Sequence, residues 1–218
     1  MSAAAIDLPG AGNHRCEIAD ITLERYVEYI LSMLSDLAQP ALVVAHSMAG
    51  VSVTQAADLA PELFAGVAYL AAAVPQDGES MLSIVTRPGG HGSSASTILS
   101  DDGARIDYAS EALVDSFYAD CSIGDINYAK QHIGTQAMQP VAAPVTLRNP
   151  EASRIPRFYI ETLHDRSLPI EHQRGFIAAA QPIEVHTLST SHSPFFSAPA
   201  QLADTLLMIA KRIVATAA

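Results

Sequence analysis

The feature that most constrains this chain is a short apolar run followed at once by small residues around a serine. Residues 41–44 (ALVV) have the composition of a buried strand, and AHSMA over residues 45–49 then leads into Gly50 and a helix-like stretch. The pattern predicts a strand, a tight turn and a helix with Ser47 at the tip, as in the G-x-S-x-G nucleophile elbow. Alanine replaces both glycines here but remains small. A serine after a strand is also a common helix N-cap, so the motif alone leaves both interpretations open.

Composition indicates a globular chain. With 218 residues, 49% of them hydrophobic and 16% charged, residues 1–218 are predicted to form a single domain with a sizeable core. The net charge of −11 gives no basic surface for a phosphate backbone, which argues against a nucleic-acid partner. Cys16 and Cys121 are too few for a disulfide framework, and we interpret them as free thiols.

Targeting and metal-binding patterns are missing from the sequence. No apolar run approaches the ~20 residues of a membrane helix, and the N-terminus lacks a cationic segment before an apolar one. We therefore expect no membrane partner and a cytoplasmic location. Neither H-E-x-x-H nor a Cys/His cluster at ligand spacing occurs among the 8 histidines, so no metal is predicted.

Hydrophobic periodicity predicts an α/β fold. An amphipathic helix is expected over 22–37, with Thr22 as its N-cap and Pro40 beyond its end. A second helix is expected over 51–59, between two strands, which makes a βαβ unit with parallel strands. The strands of this mostly parallel open sheet are predicted at 41–45, 66–73, 157–162 and 183–188.

The pattern loosens over residues 75–156, which we predict to be a cap inserted between sheet strands. This stretch contains Pro88-Gly89-Gly90 and a serine-rich run at 93–96. Helices are expected over 108–118 and 126–136, so the cap should be helical and cover a pocket. After it the alternation resumes, with helices predicted over 169–179 and from Pro199 onward.

A serine nucleophile requires a histidine base and a carboxylate that fixes the histidine's tautomer. Asp165 follows the strand predicted at 157–162, and His192 follows the strand predicted at 183–188. Both therefore fall at the carboxyl edge of the sheet, where Ser47 also lies. Each residue also has an alternative interpretation without a catalytic role. Asp165 would then be an exposed loop acid paired with Arg166, and His192 would be an ordinary loop histidine.

Two neighbouring residues compete for roles at this site. Glu161 is a second acid, but it falls within a strand, which is poorer for reaching a histidine. His46 adjoins Ser47 and cannot easily turn its ring onto the hydroxyl, so we predict that it lines the pocket or the core.

At this point the chain resembles the α/β-hydrolase superfamily, within it the small esterase and hydroxynitrile-lyase branch that includes plant methylesterases and bacterial esterases. The likeness runs almost end to end and implies Ser47, Asp165 and His192 as a catalytic triad, the Met48 N–H as an oxyanion donor, a helical cap and no cofactor. The matching segments are DLPGAG at 7–12, AHSMAG at 45–50, YLAA at 69–72, PRFYIE at 156–161, Asp165-Arg166 and HSPFFS at 192–197.

The chain departs from the family before Asp7. Family members have a strand, an H-G-x-x-H-G-like loop and a helix there, so the resemblance implies an N-terminally shortened fold. That loop normally supplies a second oxyanion donor, whose loss costs ~10²- to 10³-fold in turnover. The lost strand would leave an exposed sheet edge, at which a homodimer could form.

The leading prediction is hydrolysis of small apolar carboxylic esters through an acyl-enzyme on Ser47. A second is cyanohydrin cleavage by the same triad, but the lyases have lysine after the histidine and often glutamate before the nucleophile, where this chain has Ser193 and His46. A third is a catalytically impaired, hydrolase-like binding protein. The predicted substrate-binding residues are Met81, Phe117, Tyr118 and Phe195.

Overall fold

The structure, a computed structural model, describes residues 2–87 and 97–217. The proline-glycine and serine-rich run predicted within the cap lies at residues 88–96, outside the described residues. In chain order the elements are α1 (Leu23–Ser35), β1 (Ala41–His46), α2 (Ala49–Leu59), β2 (Phe64–Leu70), α3 (Met81–Thr86), β3 (Thr97–Leu99), β4 (Arg105–Tyr108), α4 (Ser110–Phe117), α5 (Ile123–His132), β5 (Gln136–Ala137), α6 (Gln139–Ala142), β6 (Arg157–Thr162), α7 (Ile170–Ala180), β7 (Glu184–Leu188), α8 (Pro194–Ser197) and α9 (Pro199–Ala217).

The main sheet confirms the four predicted strands and their parallel pairing. It has four strands in the order β1-β2-β6-β7, and each neighbouring pair is parallel. The carboxyl ends of β1, β6 and β7 therefore share one edge of the sheet. Since ligands of open parallel sheets bind outside this edge, the loops that follow these strands are positioned to form a site.

Alternating side chains of the central strands bury two separate cores. On β2, Val67 and Tyr69 join a cluster with residues of α1 and α2, whereas Ala68 and Leu70 join one that includes Ile209 of α9. Successive strand residues point to opposite faces, so a strand covered on both sides must be apolar throughout. This is why the predicted strand at 66–73 shows an unbroken apolar run.

The segment between β2 and β6 contains short strands as well as the predicted helices. Helices α4 and α5 confirm the two expected there, although α5 begins earlier, at Ile123, with Ser122 as its N-cap. The segment also contains a three-stranded antiparallel sheet, β3-β4-β5. These strands have 3, 4 and 2 residues, too short for a two-residue alternation to be recognised. Among the described residues, no helix has the length and apolarity needed to cross a bilayer.

Candidate active site

The strand, turn and helix predicted around Ser47 are confirmed. β1 ends at His46, α2 begins at Ala49, and Ser47 between them has a left-handed backbone with φ of 55°. A non-glycine residue in this conformation is strained by ~1–2 kcal/mol. Two hydrogen bonds hold the turn against that strain: the Ser47 N–H donates to the carbonyl of Leu70 at 3.2 Å, and the Ala73 N–H donates to the carbonyl of Ser47 at 3.1 Å.

Small residues around the turn allow α2 to approach the end of β2 closely. A Cβ added at Gly50 would lie 2.0 Å from the carbonyl oxygen of Ala73, a backbone atom that cannot move aside freely. We therefore expect Gly50→Ala to lower the free energy of unfolding by about 2–4 kcal/mol, measured by urea denaturation. Gly175→Ala in α7 is the matched control, since its added Cβ meets nothing within 4 Å. That variant should gain about 0.5–1 kcal/mol from helix propensity, and an equal loss in both variants would contradict the close approach.

The predicted acid and base are in direct contact. Nδ1 of His192 donates to Oδ2 of Asp165 at 2.7 Å, and the two side chains are 1% and 0% exposed. Among the described residues, Nε2 of His192 is buried without a hydrogen-bond partner. With its Nδ1 proton fixed by the carboxylate, the neutral ring keeps a lone pair on Nε2, which can accept a proton.

Asp165 is held by the loop that carries it. Its Oδ1 accepts backbone N–H groups from Ser167 at 2.8 Å and Leu168 at 2.7 Å, which leaves Oδ2 for His192. Two backbone donors on one oxygen fix the orientation of the carboxylate. The short loop after β6 thus presents a fixed negative oxygen to the imidazole.

The two alternative pairings at the acid are wrong. Arg166, the neighbour expected to pair with Asp165 if that residue were an ordinary loop acid, instead pairs with Asp115 of α4. Glu161, the competing acid, accepts from both Nε and Nη2 of Arg174, at 3.2 and 3.3 Å. Both contacts direct these groups away from His192.

His46 lies in the core of the site, as predicted, and contacts His192 directly. Its ring centroid is 4.5 Å from that of His192 and 5.1 Å from that of Phe195. Its Nε2 lies 2.8 Å from the main-chain carbonyl of His192, so Nε2 carries a proton and donates it. Burial, helped by the nearby His192, lowers the pKa of His46 from 6.5 to about 3. His46 is therefore neutral at physiological pH.

This low pKa makes the stability of the fold depend on pH. Below pH 6.5 the unfolded chain binds a proton at His46, whereas the folded chain binds it only below about pH 3. The free energy of unfolding therefore decreases as the pH falls from 6.5 to about 3. We expect His46→Gln, whose amide can still donate to the same carbonyl, to reduce the stability difference between about pH 7.5 and about pH 5 by about 1–2 kcal/mol. Urea denaturation of both proteins at each pH measures this; an unchanged difference would contradict the burial of a neutral imidazole.

Two of the predicted substrate-binding residues contact the two histidines, and a third packs against one of these two. The ring of Phe117 is 5.3 Å from that of His192, edge on, and the ring of Tyr118 is 6.3 Å from that of Phe117. Phe195, 40% exposed, packs against His46. The fourth, Met81, packs against the core cluster that includes residues of α1 and α2.

Two further aromatic residues, Phe196 and Tyr128, join this group and were not predicted from the sequence. Phe196 packs against Phe195 at 5.1 Å and Tyr118 at 6.0 Å, and Tyr128 of α5 extends the group at 6.2 Å from Phe196. The adjacent aromatics at 195 and 196 were a usable signal for Phe196. Tyr128 carried none, because its proximity depends on how α5 packs.

The segment between β2 and β6 is also tied to the loops that bear the acid and the base. Asp115 pairs with Arg166, next to Asp165, and Asp120 Oδ2 accepts the N–H of Ser191, next to His192, at 2.7 Å. Within the described residues, no group of three or more His, Cys, Asp or Glu could hold a metal ion.

Comparison with known proteins identifies the family. The model of the alpha/beta hydrolase family matches residues 2–205. The chain belongs to this family. It is 30% identical over 207 residues to a pyrethroid hydrolase of Sphingobium wenxiniae, covering 91% of this chain and 72% of that protein. It is 28% identical over 219 residues to the putative methylesterase 11 of Arabidopsis thaliana, covering 95% of this chain and 56% of that protein.

Solved structures of family members agree with the fold. A pyrethroid hydrolase crystal structure has a TM-score of 0.84 and 27% identity, with 94% of this chain and 84% of that chain covered. An Arabidopsis methylesterase has a TM-score of 0.81 and 25% identity, with 95% and 86% covered. The fold of this chain is therefore that of the family, whose members include esterases and hydrolases.

Proposed function

We propose that this family member hydrolyses small apolar carboxylic esters through an acyl-enzyme on Ser47. The observation that carries the proposal is the buried Asp165–His192 hydrogen bond of 2.7 Å, which leaves Nε2 of His192 without a partner among the described residues. A neutral imidazole with a desolvated, unpaired nitrogen at the carboxyl edge is suited to take a proton from a serine hydroxyl. We propose that this hydroxyl is that of Ser47, which lies on the left-handed turn after β1.

The reaction proceeds in two halves. The Ser47 oxygen attacks the ester carbonyl while His192 Nε2 takes its proton; His192 then returns the proton to the leaving alcohol as the acyl-enzyme forms. Water attacks the acyl-enzyme with the same proton transfers in reverse order, releasing the acid. Asp165 stays ionised throughout and stabilises the imidazolium that forms in each half.

The start of α2 is suited to bind the oxyanion. Met48 is the N-cap residue of α2, with φ of −60° and ψ of −26°. The first N–H groups of a helix have no acceptor within it, and the helix dipole favours negative charge there. We propose that the Met48 N–H donates to the oxyanion of the tetrahedral intermediate.

The aromatic residues and the relatives support the substrate class. Phe117, Tyr118 and Phe195 give the site an apolar wall, which suits the acyl or alcohol part of an apolar ester. Met81 stays a prediction as a substrate-binding residue. The relatives named methylesterase and pyrethroid hydrolase favour an ester substrate over a cyanohydrin, and a lysine at position 193, which the lyases would have, is absent from this sequence.

The proposal is tested by combining turnover with active-site labelling. The protein should hydrolyse short-chain p-nitrophenyl esters, and a fluorophosphonate should stop turnover by adding once, at Ser47, as located by peptide mass spectrometry. Labelling at Ser47 without turnover would replace the proposal with a catalytically impaired enzyme. Neither labelling nor turnover would replace it with a hydrolase-like binding protein.

Location and assembly stay predictions from the sequence. We propose a cytoplasmic protein, although the names of several plant relatives include the word chloroplastic. We also propose a homodimer formed at the edge of β1, which has one strand neighbour in the described sheet. Light scattering of the purified protein measures its mass, and a monomer at micromolar concentration would contradict the dimer.

A further inference from the structure

A buried amide behind Asp165 has no role in the reaction as proposed. Gln173 lies in the first turns of α7 and is 0% exposed. Its Oε1 accepts the N–H of Thr162 at 3.0 Å, and its Nε2 donates to the carbonyls of Leu168 at 2.7 Å and Thr162 at 3.1 Å. Gln173 thus joins the end of β6 to the far side of the loop that carries Asp165.

The Gln173 amide is linked to the Asp165 carboxylate through the hydroxyl of Thr162. Gln173 Nε2 is 3.1 Å from Oγ1 of Thr162, and that hydroxyl donates to Asp165 Oδ2 at 3.0 Å. A direct contact from Gln173 Nε2 to Oδ2 is 3.5 Å long. Oδ2 of Asp165, which accepts the hydrogen bond from His192, is therefore also the oxygen that the Thr162 hydroxyl and the Gln173 amide contact on its other side.

The orientation of this amide is fixed by its partners. Turning it over would place its N–H₂ against the N–H of Thr162 and its oxygen against the carbonyl of Leu168, with no hydrogen bond possible at either. Because an unpaired buried polar group is costly, only one orientation is stable. That orientation directs N–H toward Thr162 and Asp165.

We infer that Gln173 is a positioning residue for the acid, setting Oδ2 of Asp165 where it holds the His192 ring; this inference rests on the proposed function. Gln173 touches neither the substrate nor a reacting atom. It acts by holding Thr162 and Leu168, at the two ends of the loop that carries Asp165, in fixed positions, and by directing one N–H toward Thr162, whose hydroxyl donates to Asp165 Oδ2.

The chain contains a matched control for this amide. Gln55 of α2 makes the same pair of bonds to a backbone amide: its Nε2 donates to the carbonyl of Thr146 at 2.9 Å, and its Oε1 accepts the N–H of Thr146 at 2.6 Å. No contact described for Gln55 leads to Asp165 or His192. If the amide served only to fasten a helix to a loop, the two glutamines would be equivalent in their effect on turnover.

The first test compares Gln173→Met with Gln55→Met, each of which keeps the side-chain length and removes the amide. For the folded proteins we expect Gln173→Met to lower kcat by about 10- to 100-fold, the usual worth of a hydrogen bond to a charged group, with KM changed less than about threefold. Gln55→Met should leave both constants within about threefold of wild type. Wild-type kcat in Gln173→Met, or an equal loss in both variants, would overturn the inference.

The second test measures how kcat of another variant, Gln173→Glu, depends on pH, and it applies even if Gln173→Met does not fold. Gln173→Glu keeps the shape but, when ionised, loses the donor and adds a like charge beside Asp165. Burial and that charge raise the pKa of the new carboxyl, and in its protonated form it donates as the amide does. We expect kcat of Gln173→Glu relative to wild type to rise about tenfold or more from about pH 8.5 to about pH 6, while the ratio for Gln55→Glu stays flat. A flat ratio for Gln173→Glu would overturn the inference.

A third measurement separates this inference from the proposed function. The proton on His192 Nδ1 should give a deshielded imidazole resonance in the proton NMR spectrum, identified by its loss in His192→Ala. We expect Gln173→Met to shift or broaden this resonance and Gln55→Met to leave it unchanged. A wild-type protein without ester turnover would overturn the proposed function, yet this shift would still support Gln173 as positioning Asp165. An unshifted resonance would overturn the inference even in an active enzyme.

Discussion

Ser47→Ala is expected to lower kcat for p-nitrophenyl acetate by about 10⁴-fold or more, because it removes the hydroxyl on which the proposed acyl-enzyme forms. The strained turn should survive the change, since alanine keeps the Cβ and the bonds at Leu70 and Ala73 use only the backbone of residue 47. The free energy of unfolding should therefore change by less than about 1 kcal/mol. Initial rates and urea denaturation measure the two effects separately.

Ser52→Ala is the matched control for this loss. Ser52 lies in the same helix, is 2% exposed, and its hydroxyl donates to the carbonyl of Ala49 at 3.1 Å. Its removal should leave kcat within about threefold of wild type. Fluorophosphonate labelling that persists in Ser47→Ala would show that another residue is the nucleophile. An equal loss of turnover in the control would show that the effect of Ser47→Ala is not specific to its hydroxyl.

Asp165→Asn is expected to lower kcat by about 10³- to 10⁴-fold near neutral pH. The backbone N–H groups of Ser167 and Leu168 would hold the amide oxygen of the new side chain at the position of Oδ1. Its N–H₂ would then face His192 Nδ1, which must become an acceptor, and the ring proton moves to Nε2. A protonated Nε2 cannot take the proton of Ser47, so the base is lost although the geometry is kept.

Glu161→Gln is the control for removing a buried negative charge at the same end of β6. Glu161 is held by Arg174 and also accepts the hydroxyl of Thr187 at 3.0 Å. We expect this variant to lose stability but to keep kcat within about threefold, as measured by thermal unfolding and initial rates. If Glu161→Gln lost as much turnover as Asp165→Asn, the acid would be wrongly identified.

Patterns within a few residues were enough to predict most of the main sheet. The strand predicted at 157–162 has those bounds in the structure, and Thr22 is the N-cap of α1, accepting the N–H of Arg25 at 3.1 Å. These features depend on apolar runs and caps, which are local. The small sheet of β3, β4 and β5 was not predicted, because β5 joins β4 from about 30 residues further along and its 2 residues form no pattern of their own.

In the candidate site, too, some features were predictable from the sequence and others depended on tertiary contacts. The sequence alone determined a serine on a tight turn and placed an acid and a histidine after two further strands, because parallel strands bring their carboxyl ends to one edge. Only the tertiary structure showed the different partners of the two acids: Arg174 donates to Glu161, while Asp165 accepts from a histidine 27 positions away. It also revealed Gln173 behind that acid. The physical reason is that a hydrogen bond forms or is lost when the distance between two groups changes by a few tenths of an ångström. When the two groups lie on different elements, packing sets that distance, and spacing along the chain does not.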